Sequence, residues 1–132
     1  VGKRKDNPVD KWQMPQGGVD KNETPLDAMK RELAEETSIT RFKILKEIEN
    51  WLEYELPQNL LGKIWKGKFR GQRQKWFIVK FLGSENEINL NTKHPEFIEW
   101  KWINYKLLPE VIVDFKKEVY LKLKIELNKF IN

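Results

Sequence analysis

Glu32, Glu35 and Glu36 stand at i, i+3 and i+4 in the stretch Arg31-Glu32-Leu33-Ala34-Glu35-Glu36. On an α-helix that spacing brings their carboxylates to one face. At roughly 100° per residue, the face adjoins an apolar stripe of Leu26, Met29 and Leu33. The acids are therefore expected at the border of the core rather than fully in solvent. Clustered carboxylates repel by about a few tenths of a kcal/mol per pair, and a divalent cation removes that penalty. Mg²⁺ characteristically binds through a few carboxylates together with substrate phosphates. The spacing alone favours a solvated acidic face, stabilised by Lys30 and Arg31.

Composition narrows the chemistry. There is no cysteine and one histidine, His94, which excludes disulfides, thiolate metal sites and a histidine cage. Any metal must be a hard cation held by carboxylates. A chain of 132 residues accommodates one domain with one core, taken as 1–132. Hydrophobic residues at 39% and charged residues at 34% read as soluble and globular. Apolar runs are too short for a membrane span, and Val1-Gly2-Lys3-Arg4 opens no secretory signal. A cytoplasmic location without membrane partners is expected. The net charge of +5 favours polyanions such as nucleic acid or polyphosphate, although lysine richness of this kind also follows from genome base composition.

The elements that must carry these residues can be read locally. Residues 1–4 look like the tail of a strand, and Trp12 to Asp20, with Pro15, Gly17 and Gly18, is a loop. Thr24 as N-cap, Pro25 at the first helical position and Asp27 at the capping-box position begin a helix that stops near Thr37-Ser38. Strands are expected at Arg41–Glu47, Trp51–Leu56, Ile64–Phe69, Lys75–Leu82 and Glu99–Tyr105. From Pro109 onward, Ile112, Phe115, Val119, Leu123, Leu127 and Phe130 recur at helical spacing, with Lys116, Lys117, Lys122 and Lys124 on the wetter faces. Trp12, Trp51, Trp76, Trp100 and Trp102 are expected in the core, and His94 as an ordinary loop residue. The order of helix, strands and helix predicts an α/β (α+β) domain.

Gly17, Glu23 six positions later, and Arg31-Glu32-Leu33-Ala34-Glu35-Glu36-Thr37-Ser38-Ile39 closely resemble the Nudix box, here spanning 17–39. Ser38 alone departs, standing where the family has glycine. Glycine there serves a left-handed helix exit, so serine should cost about 1 kcal/mol at most. The resemblance implies the Nudix fold, a mixed β-sheet sandwiched between helices, and a pyrophosphohydrolase using Mg²⁺, with Mn²⁺ or another divalent cation able to substitute. It also implies Glu32, Glu35 and Glu36 as metal ligands, a carbonyl from Gly17 on the same cations, and a structural pair of Glu23 with Arg31.

The resemblance runs beyond the box. Trp12-Gln13-Met14-Pro15-Gln16-Gly17-Gly18, Gln72-Arg73-Gln74-Lys75-Trp76-Phe77, Pro95-Glu96-Phe97 and Phe115-Lys116-Lys117-Glu118-Val119-Tyr120 resemble bacterial RNA pyrophosphohydrolases and the related dinucleoside polyphosphate hydrolases. Family members carry a further strand before the counterpart of Val1, so the chain is expected to begin partway into the domain. By this likeness Glu96 joins the metal site as ligand or base, and catalysis falls to Glu35, Glu36 and Glu96. Val113, Phe115 and Lys116 would bind the second nucleobase of a triphosphorylated RNA end, while a core role for Phe115 stays open. Arg4, Arg73 and Lys75 are candidate phosphate contacts. The leading expectation is removal of pyrophosphate from the 5′-triphosphate end of RNA, leaving a 5′-monophosphate. Hydrolysis of dinucleoside polyphosphates by the same site is the alternative, and a catalytically silent RNA-binding module the third reading.

Overall fold

Thr24 and Pro25 start the first helix as their residue types predict. In a computed structural model, which describes residues 1–6, 10–63 and 70–131, helix α1 spans Pro25–Thr37. The Thr24 hydroxyl accepts the Asp27 N–H at 3.1 Å, answering one of the donors a helix start leaves without a partner. At the other end Ser38 takes φ 66°, the left-handed exit expected for this position. Its N–H returns to the Ala34 carbonyl at 2.9 Å, and its hydroxyl donates to the Asn89 carbonyl at 2.8 Å. That second bond offsets part of the cost of a non-glycine residue there.

Six strands are described: β1 Gly2–Arg4, β2 Phe42–Glu47, β3 Leu52–Glu55, β4 Gly71–Gln74, β5 Phe77–Phe81 and β6 Phe97–Trp100. Helices α2, Leu108–Val111, and α3, Lys117–Ile131, close the chain. The α/β class holds. The expected mixed sheet takes the form, among the described residues, of three antiparallel pairs: β1 with β6, β2 with β5 and β3 with β4. The strand expected at Glu99–Tyr105 is offset, since β6 ends at Trp100 and Tyr105–Leu107 forms a 3₁₀ turn capped by Asn104. The expectation at Ile64–Phe69 lies outside the described residues.

The closing helix is not continuous from Pro109, as helical spacing suggested. Ile112 and Val113 are extended, with ψ of 155° and 147°. Val111, Ile112 and Val113 are three successive β-branched residues, which restrict χ1 in a helix and favour the extended backbone. Phe115 and Lys116 consequently fall in a 3₁₀ turn, Asp114–Lys116, ahead of α3.

The chain divides into two compact units, Val1–Glu47 with Phe77–Ile103, and Ile48–Trp76 with Asn104–Asn132. In the first, β1 is the organiser. Gly2 exchanges backbone hydrogen bonds with Gln13 at 2.8 and 2.9 Å, while the Lys5 N–H reaches the Glu96 carbonyl at 3.0 Å. A Cβ on Gly2 would collide with the Phe97 ring, so only glycine lets β1 lie this close to β6. One short strand thus holds the loop before Gly17 on one side and the segment carrying Glu96 on the other. The second unit buries Leu52 and Tyr54 from β3 together with Val119, Tyr120 and Leu123 from α3. Each such large side chain contributes about 1.5–3 kcal/mol when fully buried. Trp76 meets Tyr120 edge-on at 5.8 Å.

Candidate functional site

Arg31 gathers the first unit's acidic residues. Its guanidinium donates to both oxygens of Glu23, at 2.8 and 2.9 Å, and to the Gly18 carbonyl at 2.8 Å. It also donates to Glu32 at 2.7 Å and Glu35 at 3.3 Å. Glu23 in turn accepts the Asp20 N–H at 2.9 Å. The Arg31 guanidinium, then that N–H, hold the Glu23 carboxyl down to about 2. The 17–23 loop is therefore tied to α1 by a charged fork, the planar geometry in which arginine exceeds lysine.

The three glutamates of α1 are graded rather than equivalent. Glu35 is 58% exposed and Glu32 lies partly covered. Glu36 is 6% exposed. Burial, then the neighbouring Glu32 and Glu96 charges, push the Glu36 carboxyl up to about 8 against the opposing pull of the Gln16 N–H and Arg4. Burial also raises Glu32, opposed by Arg31. The Gln16 N–H donates to Glu36 at 3.1 Å. A Cβ at Gly17 would collide with the Glu32 carboxyl, so any other residue there would displace that carboxylate from its place beside Arg31.

Glu96 faces Arg4 at 3.7 Å, while Arg4 is bound bidentately by Asp6 at 2.8 Å to each oxygen. Asp6, then Glu96 and Glu36, raise the Arg4 guanidinium. The structure thus brings Gly17, Glu32, Glu36, Glu96 and Arg4 into one electrostatic neighbourhood, with Glu35 at its wet edge. Among the described residues no three acids are drawn together as a finished cation cage. The donor set nevertheless fits a hard cation, because a buried carboxyl raised by two like charges is the arrangement a divalent ion relieves. A cavity of about 190 Å³ in the same unit, lined by Met14, Leu33, Phe42, Val79, Phe97 and Trp100 among others, contains none of these glutamates. Its apolar walls suit packing, not a polyphosphate.

The remaining candidates lie in the second unit. Lys116 is 7% exposed, correcting its expected place on a wet helix face. The 3₁₀ turn takes it out of phase with α3, and its ammonium sits 5.6 Å from the Tyr54 ring and 5.8 Å from Phe115. The rings of Tyr54 and Phe115 are 5.6 Å apart. Val113 and Phe115 are half-buried, and Arg73 and Lys75 lie beside Trp51. His94 is exposed in a loop. Trp12 is core as expected, whereas Trp51 and Trp102 stand 40% and 58% exposed.

Gln16, Gly18 and Tyr54 escaped sequence reasoning as site neighbours. The first two act through backbone groups, which leave no residue-type signal. Tyr54 was detectable as an inward position of β3, by alternation with the exposed Glu53 and Glu55.

The NUDIX domain family matches residues 1–123 of the chain. Over 132 residues the chain is 56% identical to a protein named RNA pyrophosphohydrolase from Pelagibacter ubique, covering 100% of this chain and 84% of that one. It is 50% identical over 123 residues to an RNA pyrophosphohydrolase from Roseobacter denitrificans, covering 92% and 77%. Among solved structures, the E. coli dihydroneopterin triphosphate pyrophosphohydrolase superposes with a TM-score of 0.64 at 20% identity, covering 95% of this chain and 84% of that one. At that identity the likeness concerns the fold.

Proposed function

Since the chain belongs to the NUDIX domain family, we propose that it removes pyrophosphate from the 5′-triphosphate end of RNA and leaves a 5′-monophosphate. The observation that carries the reading is Glu36, a buried carboxyl raised to about 8 beside Glu32 and Glu96. Relatives at 44–56% identity named RNA pyrophosphohydrolase support the substrate. The family match runs through both units, which supports 1–132 as one domain.

Glu32, Glu35, Glu36 and Glu96, with the Gly17 carbonyl, would hold the divalent cation, Mg²⁺ foremost. Such a cation, once bound, neutralises polyphosphate charge and acidifies a ligated water. The chain's own residues do the rest. Water adds to a phosphorus, the bridging P–O bond breaks toward the leaving phosphate, and Glu36 or Glu96 takes the water's proton. Glu36 suits that role because burial beside Glu32 raises its proton affinity toward neutral pH. Arg31 keeps Glu32 and the 17–23 loop in place. Arg4, Arg73 and Lys75 would meet phosphates, and Val113, Phe115 and Lys116 the second nucleobase. Positioning and charge compensation account for most of the rate in such chemistry. No described helix is long and apolar enough to cross a membrane.

The test compares cleavage of 5′-triphosphorylated RNA with that of diadenosine polyphosphates, each with Mg²⁺. Faster release of pyrophosphate from RNA is expected. A preference for the dinucleotides sinks the RNA assignment, and inactivity on both sinks the enzyme.

A further inference from the structure

The core position expected for Trp51 is not the one it takes, and the strand register explains why. Leu52 lies opposite Gln74 and Glu53 opposite Arg73, and side chains alternate faces along a strand. Leu52 and Tyr54 turn inward and are buried. Trp51, Glu53, Arg73 and Lys75 share the outer face. There the Arg73 guanidinium carbon is 5.3 Å from the Trp51 ring centroid and the Lys75 ammonium 5.9 Å. Lys75 also donates to the Glu49 carbonyl at 2.6 Å, which fixes it beside the ring.

We propose that this outer face of the β3–β4 pair binds single-stranded RNA, one base stacking on Trp51 and the adjoining phosphates meeting Arg73 and Lys75. The assignment rests on the RNA reading above and extends it from the 5′ end to the body of the strand. An indole 40% in water still offers ring surface for a base. The partner it fits carries flat apolar faces and regular negative charge together, which is the make-up of an unpaired nucleic acid strand. The carboxylate facing Arg73 is Glu53, 3.6 Å away with both side chains 66% exposed. An exposed pair of that length contributes little and yields to a phosphate able to take both arms of the guanidinium. Glu55, opposite Gly71, stands at the far end of the ladder from the ring.

The full chain, in EDTA, is titrated by fluorescence anisotropy against a 3′-labelled single-stranded RNA of mixed sequence with a 5′-hydroxyl. Trp51→Leu is expected to weaken binding about 5- to 150-fold, the range for losing one base–aromatic stack, and Trp51→Phe to recover part of it. Arg73→Gln with Lys75→Gln should flatten the slope of log K against log salt by about 1.4, or 0.7 per single-strand phosphate contact. Duplex RNA should compete poorly, because its bases are not free to stack. Failure of the unmodified chain to bind overturns the proposal. So does wild-type affinity in both Trp51→Leu and the double glutamine variant. If Trp51 only clamps the two strands, Trp51→Leu lowers the melting temperature and leaves RNA affinity intact, which also overturns it. The probe has no 5′-phosphate, so inactivity on triphosphorylated RNA bears on the proposed function and not on this surface.

Discussion

Around α1 like charge is gathered inward, with Glu36 buried against Glu32 and Glu96 and answered by one N–H and the more distant Arg4. Around β3 and the turn before α3 the cations lean on rings instead, Lys116 on Tyr54 and Phe115, and Arg73 and Lys75 on Trp51. The first arrangement concentrates like charge, which is costly until a counter-ion arrives, and suits chemistry. The second sets charge against polarisable faces, and suits recognition. The difference teaches that a chain of net charge +5 need not attract polyanions evenly.

The largest way to break the comparison is Glu36→Gln. Turnover should fall at least about 100-fold, the scale for losing a preorganised electrostatic group, while the fold survives because the amide keeps the shape. Undiminished activity in the purified variant removes Glu36 from the chemistry.

Next comes pH. The Glu36 carboxyl lies at about 8 in the folded chain against 4.5 as the ordinary value, so folding favours its protonated form. Its contribution is fully present below about 4.5 and is lost as pH rises through about 8. Cation-free protein should lose on the order of 4 kcal/mol from pH 5 to 9, and Glu36→Gln should flatten the curve, as read by denaturant melts over that range. Glu23 runs the other way: held at about 2, it supports the fold above 4.5 and ceases to as pH falls through 2.

A smaller effect is expected from Arg31→Lys. An ammonium cannot span Glu23, the Gly18 carbonyl and Glu32 at once, so the melting temperature should drop by several degrees and KM for cation should rise. An unchanged melt would show that the fork is ornamental to stability. The smallest is Lys116→Met, which keeps volume among the rings. KM for triphosphorylated RNA should rise about 5- to 30-fold, the worth of a desolvated cation on aromatic faces. An unchanged KM would detach Lys116 from recognition.

The chain's own order of residues was enough for α1, its caps and the spacing of Gly17, Glu23, Arg31 and the three glutamates, because helix geometry and cap chemistry are local. The left-handed exit at Ser38 followed from the family resemblance, which has glycine there. Tertiary structure decided which glutamate is buried, since the depth of Glu36 depends on Gln16 and Glu96, brought in by the bridges that β1 makes. It decided the break between α2 and α3, where β-branched residues overrode a sustained helical period. It also sent Lys116 inward and Trp51 outward, against composition in both cases. Side-chain environment is set by strand register and turn phase, and those are properties of paired segments that one stretch of sequence does not contain.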